Sequence, residues 1–421
     1  MSRIYADYLI ETPQSVEKAA CTLAGEQSSG TFVKVPGESD ALKERFGARV
    51  ERIEPLDERD APALSGSAVP ADVGSVVYRR ARLRLSWSFE NTHANLPVLL
   101  STVAGGTFDL SAFSGIKLLD LELPEEFRDV YQGPQFGIEG TRRLTGVYDR
   151  PLIGSIIKPC IGLTPAETAE RVRDLTEAGI DFIKDDELLS DHPQSPFEQR
   201  VAKVMHVINR HADKTGKKAM YAFNISGNMD DMLRRHDVVV RHEGTCVMAN
   251  ILSVGLTGLA KLREHSRLPI HGHRCGFGAL NRCDLLGFEF TAYQKIWRLV
   301  GIDHVHTNGL RNKFYESDES VIRSVRACHA PMFGGWRILP VMGSGAWAGL
   351  APLTYQTLES VDLLFLCGGG ILGHPGGIRA GVASVIQGWE AAVQGIPAEK
   401  YADDHIELKQ AMEYFGHASR S

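Results

Sequence analysis

From about residue 150 onward, short apolar runs rich in β-branched residues recur between stretches with helical spacing, a pattern that predicts βα units and a parallel sheet. The runs lie at 152–160, 180–187, 219–225, 246–254, 268–274, 304–308, 338–344 and 363–368. Between the first two, Thr164-Pro165-Ala166-Glu167 supplies an N-cap threonine, a proline at the first helical position and a glutamate at the third. Eight strands with intervening helices match a closed (β/α)8 TIM barrel, with a doubly wound open sheet as the alternative.

Residues 1–141 show less regular βα alternation. The stretch 74–89 alternates apolar and basic residues at period two, as an antiparallel strand with one solvated face does, and 115–124 is a second strand-like stretch. The expected organisation is therefore an N-terminal α+β (ferredoxin-like) domain, a linker over 142–150, and a barrel domain over 150–421 that ends in helices beyond Glu390.

Composition narrows the choice of partner. The 421 residues are 43% hydrophobic and 23% charged, which suits a globular protein with a large core. A net charge of −6 without a basic tract argues against nucleic acid, because a phosphate backbone needs clustered positive charge. The N-terminus lacks the apolar core of a signal peptide and no run is long enough to span a bilayer, so no membrane partner is expected. Cysteines 21, 160, 246, 275, 283, 328 and 367 form no CxxC pair and read as reduced thiols of a cytoplasmic protein.

The chemistry concentrates at strand ends, where barrels carry their catalytic groups. The second run closes with Lys184-Asp185-Asp186-Glu187, and alternation along a strand puts Lys184 and Asp186 on one face with Glu187 close by. An ammonium has no lone pair, so Lys184 joins a metal site only by losing its charge or by gaining a carboxylate through carbamylation. A carbamylated Lys184 with Asp186 and Glu187 gives three oxygen ligands, the preference of Mg2+; the competing reading is a salt-bridged strand end. Other ends carry Lys158-Pro159-Cys160, His271-Gly-His273-Arg274, His306, Ser344-Gly345 and Gly368-Gly369-Gly370. Ser344, Gly345, Gly368 and Gly369 fall where barrels commonly bind phosphate, since glycine backbone amides approach an anion closely. Arg274 and His306 are candidates for a second anion such as a carboxylate, although an ion pair with a barrel carboxylate accounts for Arg274 equally well.

The series Gly154-Ser-Ile-Ile-Lys158-Pro, Phe182-Ile-Lys184-Asp-Asp186-Glu187, His271-Gly-His273-Arg274, Asp303-His-Val-His306 and Gly368-Gly-Gly-Ile-Leu-Gly-His-Pro resembles the large subunit of ribulose-1,5-bisphosphate carboxylase/oxygenase, RuBisCO. The resemblance runs from near the N-terminus to about residue 395. It implies a carbamylated Lys184 holding Mg2+ with Asp186 and Glu187, and a homodimer, or a higher oligomer, with active sites at the interface. It also implies that Glu26 and Gly30-Thr31-Phe32 form the segment that reaches into the partner's barrel, and that Lys313 sits on a mobile loop that contacts substrate. Departures accompany it: Cys160 replaces the second lysine of Lys-Pro-Lys, Gly106 an asparagine, Phe32 a tryptophan and Ala346 a glycine. Loss of groups that handle CO2 addition points away from carboxylation and toward the RuBisCO-like, form IV branch.

Catalysis in that branch begins by forming an enediolate next to a carbonyl. Lys158, with a pKa lowered by neighbouring cations, His273 and carbamylated Lys184 are the expected acid and base groups. The cations Arg274, His306, Arg311 and Lys313 favour a phosphorylated 3-oxo sugar acid as substrate, on the pattern of enzymes that decarboxylate 3-oxo-isoapionate 4-phosphate or transfer and hydrolyse its carboxyl group. The alternatives are methionine-salvage members, 5-methylthioribulose 1-phosphate isomerase or 2,3-diketo-5-methylthiopentyl 1-phosphate enolase, and a non-catalytic metabolite-binding protein.

Overall fold

The computed structural model describes residues 2–30, 35–71 and 75–418; Thr31 and Phe32 lie outside the described residues. The chain divides into two compact units, residues 1–131 with 276–299 and residues 132–275 with 300–421.

The first unit is built on strands β1 (Arg3–Thr12), β2 (Arg49–Arg59), β3 (Tyr78–Ser88) and β4 (Gly115–Glu122). On β3, Ala81, Leu83, Leu85 and Trp87 are buried while Arg80 and Arg84 reach Glu11 and Asp7 on β1, as the period-two pattern predicts. Strand β1 alternates in the same way, burying Ile4, Ala6, Tyr8 and Ile10. Strand β2 lies at the sheet edge and carries Arg49, Glu51, Arg52 and Glu54; charges there discourage pairing with another chain.

The second unit is a closed barrel, as expected. Its strands are β5 (Leu152–Ile156), β6 (Phe182–Lys184), β7 (Met220–Asn224), β8 (Cys246–Asn250) and β9 (Ile270–His273). After an excursion containing β10 (Leu286–Phe288) come β11 (His304–His306), β12 (Leu339–Met342) and β13 (Leu364–Leu366), and β13 pairs with β5 to close the ring. All eight barrel strands fall inside the predicted apolar runs. Their interior is filled by Leu152, Phe182, Met220, Cys246, Met248, Val341 and Leu364, among others. Helix Pro165–Glu177 starts with the full reciprocal cap: Thr164 accepts from the Glu167 amide at 3.3 Å and Glu167 accepts from the Thr164 amide at 2.8 Å.

The domain boundary differs from the expectation in two respects. Strand β10 pairs in parallel with β4 and extends the first unit's sheet, so residues 276–299 leave the barrel unit. Helix Gly137–Thr145 belongs to the barrel unit, and Arg142 within the expected linker is tied to the Val147 carbonyl at 2.8 Å and to Asp362 at 2.7 Å. Buried Asp303 accepts from the amides of Phe136, Gly137 and Ile270, which fixes the start of that helix against β9. All seven cysteines are free thiols, and no helix among the described residues is long and apolar enough to cross a membrane.

Candidate active site

Lys184 ends β6 in register with Ile156 of β5 and Ala222 of β7, and its side chain points into the barrel, where it is 1% exposed. Its Nζ donates to the Asp185 carbonyl at 2.9 Å and meets the Met248 sulfur at 3.7 Å, while the nearest carboxylate, on Glu187, is 3.9 Å away. Burial pushes the Lys184 pKa below the ordinary lysine value against the opposing pull of Glu187, Asp186 and Asp185. Loss of its proton would give Lys184 the lone pair that an ammonium lacks and that addition to CO2 requires. Asp186 and Glu187 already converge on its neighbourhood. With a carbamate they complete an all-oxygen donor set, which suits a hard divalent cation.

Asp186 is held on its other side. Lys158, at the cis Lys158–Pro159 peptide, donates to Asp186 Oδ2 at 2.6 Å and to the Cys160 thiol at 2.9 Å. Partial burial alone lowers an amine's pKa, but these hydrogen bonds and the Asp186 charge outweigh it, and the Lys158 pKa is raised. This corrects the expectation of a lowered value: the nearest charge is a carboxylate, not a cation, and it favours the ammonium form. Asp186 in turn sits below the usual carboxylate range, because the Lys158 bond and the Leu188 amide overcome its burial.

A buried polar frame fixes the Lys184–Glu187 segment. Asp185 accepts from Arg200 at 3.3 Å, the Tyr221 hydroxyl at 2.6 Å and the Asn224 amide at 3.0 Å. Asn224 and Asn250 side chains donate to the Glu187 carbonyl at 3.2 and 2.9 Å. None of Arg200, Tyr221, Asn224 or Asn250 stood out in the sequence reading. For Tyr221, Asn224 and Asn250 the signal was a polar residue inside an apolar strand, as in Asn224 closing β7, whereas Arg200 lies in helix Phe197–Thr215 and gave none.

The histidines form a second group. His273 lies 3.5 Å from Glu187, its ring centroid is 4.4 Å from that of His306, and His306 shares a 2.9 Å hydrogen bond with His271. Burial first, then the charges of neighbouring cationic groups, hold His271, His273 and His306 well below the ordinary imidazole pKa. They are neutral at pH 7, so His306 offers hydrogen bonds to an anion, not charge.

Arg274 pairs with buried Glu316, which also takes the Asn308 side-chain amide. The ion-pair reading of Arg274 therefore holds in the structure, and its charge is already balanced. Ser344, at φ +71°, donates to Asn308, at φ +62°, over 3.0 Å, so two non-glycine residues hold left-handed conformations side by side at the strand ends. The Lys313 amide donates to the Ser344 carbonyl at 3.2 Å, and the exposed Lys313 ammonium stands 5.5 Å above the Phe314 ring. Arg311 is exposed, with its amide held by Asp318 at 2.7 Å.

The glycines after β13 serve two purposes. A Cβ on Gly370 would meet the Ala346 carbonyl at 2.5 Å, so glycine there lets the loops after β12 and β13 touch. A Cβ on Gly369 would meet nothing within 4 Å, and this residue opens the short helix Gly369–Leu372, whose first amides lack intrahelical acceptors. Gly345 follows Ser344 in the loop after β12, and Gly368 and Gly369 follow β13. Glu26 is the exposed last residue of helix Val16–Glu26 in the first unit, and Thr31 is outside the described residues.

Residues 4–127 match the family profile of the ribulose bisphosphate carboxylase large chain N-terminal domain, and residues 137–415 match that of its catalytic domain. The chain is 48% identical over 415 residues to a 3-oxo-isoapionate-4-phosphate transcarboxylase/hydrolase of Xanthobacter autotrophicus, covering 98% of this chain and 99% of the relative. It is 47% identical to a 3-oxo-isoapionate-4-phosphate decarboxylase of Rhizobium etli, with 97% of each covered. Among solved structures, a rubisco-like protein from Burkholderia fungorum superposes with a TM-score of 0.91 at 43% identity, over 98% of this chain and 100% of that one.

Proposed function

The chain belongs to the ribulose bisphosphate carboxylase large-chain family, and from that premise we propose that it is a RuBisCO-like lyase that removes the carboxyl group of 3-oxo-isoapionate 4-phosphate with the help of Mg2+. The observation that carries this reading is near-full-length identity of 46–48% to relatives named for that substrate, in a chain that keeps Lys184, Asp186 and Glu187 together.

A 3-oxo acid loses CO2 when the electron pair of the breaking bond moves onto the neighbouring carbonyl, and the barrier falls as the enediolate charge is stabilised. Carbamylated Lys184, Asp186 and Glu187 would hold Mg2+, which when bound would supply that stabilisation. Ser344, Gly345, Gly368 and Gly369 bind the single phosphate through backbone amides and a hydroxyl. Lys158 faces the reacting end as a cation that attracts the substrate carboxylate and holds a proton to return to carbon. Neutral His273 and His306 bind the sugar hydroxyls and move protons without adding charge. Lys313 closes over the phosphate from its loop.

We assign the chain to a cytoplasmic homodimer in which Glu26 and Thr31 of one protomer complete the partner's site. The methionine-salvage reactions are second, because a methylthio group calls for an apolar pocket end and these strand ends are polar.

The test supplies 3-oxo-isoapionate 4-phosphate labelled with 13C at the carboxyl carbon, with Mg2+ or with chelator. Label leaving as CO2 identifies a decarboxylase, and label kept in a cleaved product identifies a transcarboxylase/hydrolase. Unconsumed substrate, or turnover unchanged by chelator, would overturn the proposal.

A further inference from the structure

In the barrel unit, helices Met229–Arg241 and Leu256–His265 bring His236, Asp237 and His265 together away from the strand ends that carry the active site. Asp237 Oδ1 lies 3.0 Å from His236 Nδ1 and 2.6 Å from His265 Nε2, and one ligand atom from each residue falls within 4.8 Å of the others. The two rings meet edge to face with centroids 5.1 Å apart. The His236 side chain is 1% exposed, whereas Asp237 and His265 are 49% and 37% exposed. One ligand is thus anchored in packed structure while two can adjust, and solvent has access to the remaining side.

We propose that His236, Asp237 and His265 form a second metal site, specific for a divalent transition ion of the zinc class, with water in the open position. Two imidazoles and one carboxylate are the mixed nitrogen and oxygen set that Zn2+ accepts, whereas Mg2+ prefers oxygen throughout. The two sites on this chain therefore differ in hardness. Present separations are hydrogen-bond lengths; ligands at about 2.0–2.1 Å from a tetrahedral ion stand roughly 3.3 Å apart, so the 2.6 Å Asp237–His265 pair needs to open by about 0.7 Å.

One contact opposes the ion. The Arg267 amide donates to His236 Nε2 at 3.3 Å, which puts the ring proton on Nδ1 in the metal-free protein. The ion takes Nδ1, the proton moves to Nε2, and the long bond to Arg267 is given up, with no net gain or loss of protons. The consequence is a clamp between the helices that follow β7 and β8.

The experiment loads the chelator-stripped full chain with Zn2+ in excess Mg2+, removes free metal by gel filtration, and measures bound zinc and thermal unfolding. One zinc per chain and a higher melting temperature are expected. His265→Ala and Asp237→Asn, both at exposed side chains, should each weaken zinc binding by more than the roughly 10- to 100-fold that loss of an outer-shell partner costs, with Mg2+-dependent turnover unchanged. No zinc retained by the wild type, or zinc retained at full affinity in either variant, overturns the site.

Discussion

Replacing Lys184 with methionine separates the stability of the strand end from its chemistry. The amine is buried, has one carbonyl acceptor at 2.9 Å and a sulfur at 3.7 Å, and has no carboxylate within hydrogen-bond reach. Methionine has similar length and flexibility, so Lys184→Met opens no cavity. The Asp185 carbonyl loses its donor, at about 1 kcal/mol. Against that, removing an ill-paired buried charge in favour of an apolar side chain stabilises by about 1–4 kcal/mol in comparable cases. The metal-free, bicarbonate-free variant should therefore be more stable by up to about 3 kcal/mol, a rise of roughly 2–4 °C per kcal/mol in melting temperature. The pH dependence has a definite sign. Because folding lowers the Lys184 pKa, its desolvation weakens the wild type most at low pH and not at all above the unfolded value of about 10.4. The gap between Lys184→Met and wild type should shrink as pH rises toward that value. Urea unfolding monitored at several pH values reads it directly. A variant less stable than wild type by more than about 1 kcal/mol, or a gap that widens with pH, refutes the view of Lys184 as an under-paired amine waiting for CO2.

Three further perturbations test the surroundings. Lys158→Gln should lower kcat/KM by about 10²-fold or more while tightening apparent Mg2+ binding, because Asp186 is released from its 2.6 Å ion pair; weaker Mg2+ binding would contradict that coupling. Asp185→Asn leaves Arg200 buried without its carboxylate and should destabilise by about 3–5 kcal/mol or somewhat less, since Arg200 keeps its bond to the Ser195 carbonyl; equilibrium urea unfolding gives the value, and an unchanged stability would remove the frame's role. Asp181 is held below the ordinary carboxylate range by Arg150 and Lys217, at 2.6 and 2.7 Å, against its burial. Its stabilisation is present above the unfolded pKa of about 3.9 and is lost as pH falls through the folded value, so the deficit of Asp181→Asn should close in acid and persist at pH 7.

The barrel was legible because parallel strands covered on both faces read as apolar runs, and each of the eight carries one. Thr164 and Glu167 announced a helix start through a local mechanism that tertiary packing did not alter. Strand β2 was not legible, since its edge position favours charge over alternation, and Pro55 interrupts it. Strand β1 does alternate, and its pattern could have been read. The departure of β10 to the other sheet left no local trace. At the site, Lys184, Asp186 and Glu187 stood out because three ionisable residues followed an apolar strand. The partner of Arg274 did not, because Glu316 is 42 residues away and only the fold joins them. The Lys158 pKa was misjudged for the same reason: its direction depends on one contact with Asp186, 28 residues on.

The account stands on a carboxylated amine in the barrel, and incubation with 13C-bicarbonate and Mg2+ examines it directly. One labelled carbamate carbon per chain is expected by NMR, lost on chelation and absent from Lys184→Met. A fully active enzyme that retains no label, or label that persists in Lys184→Met, would contradict it.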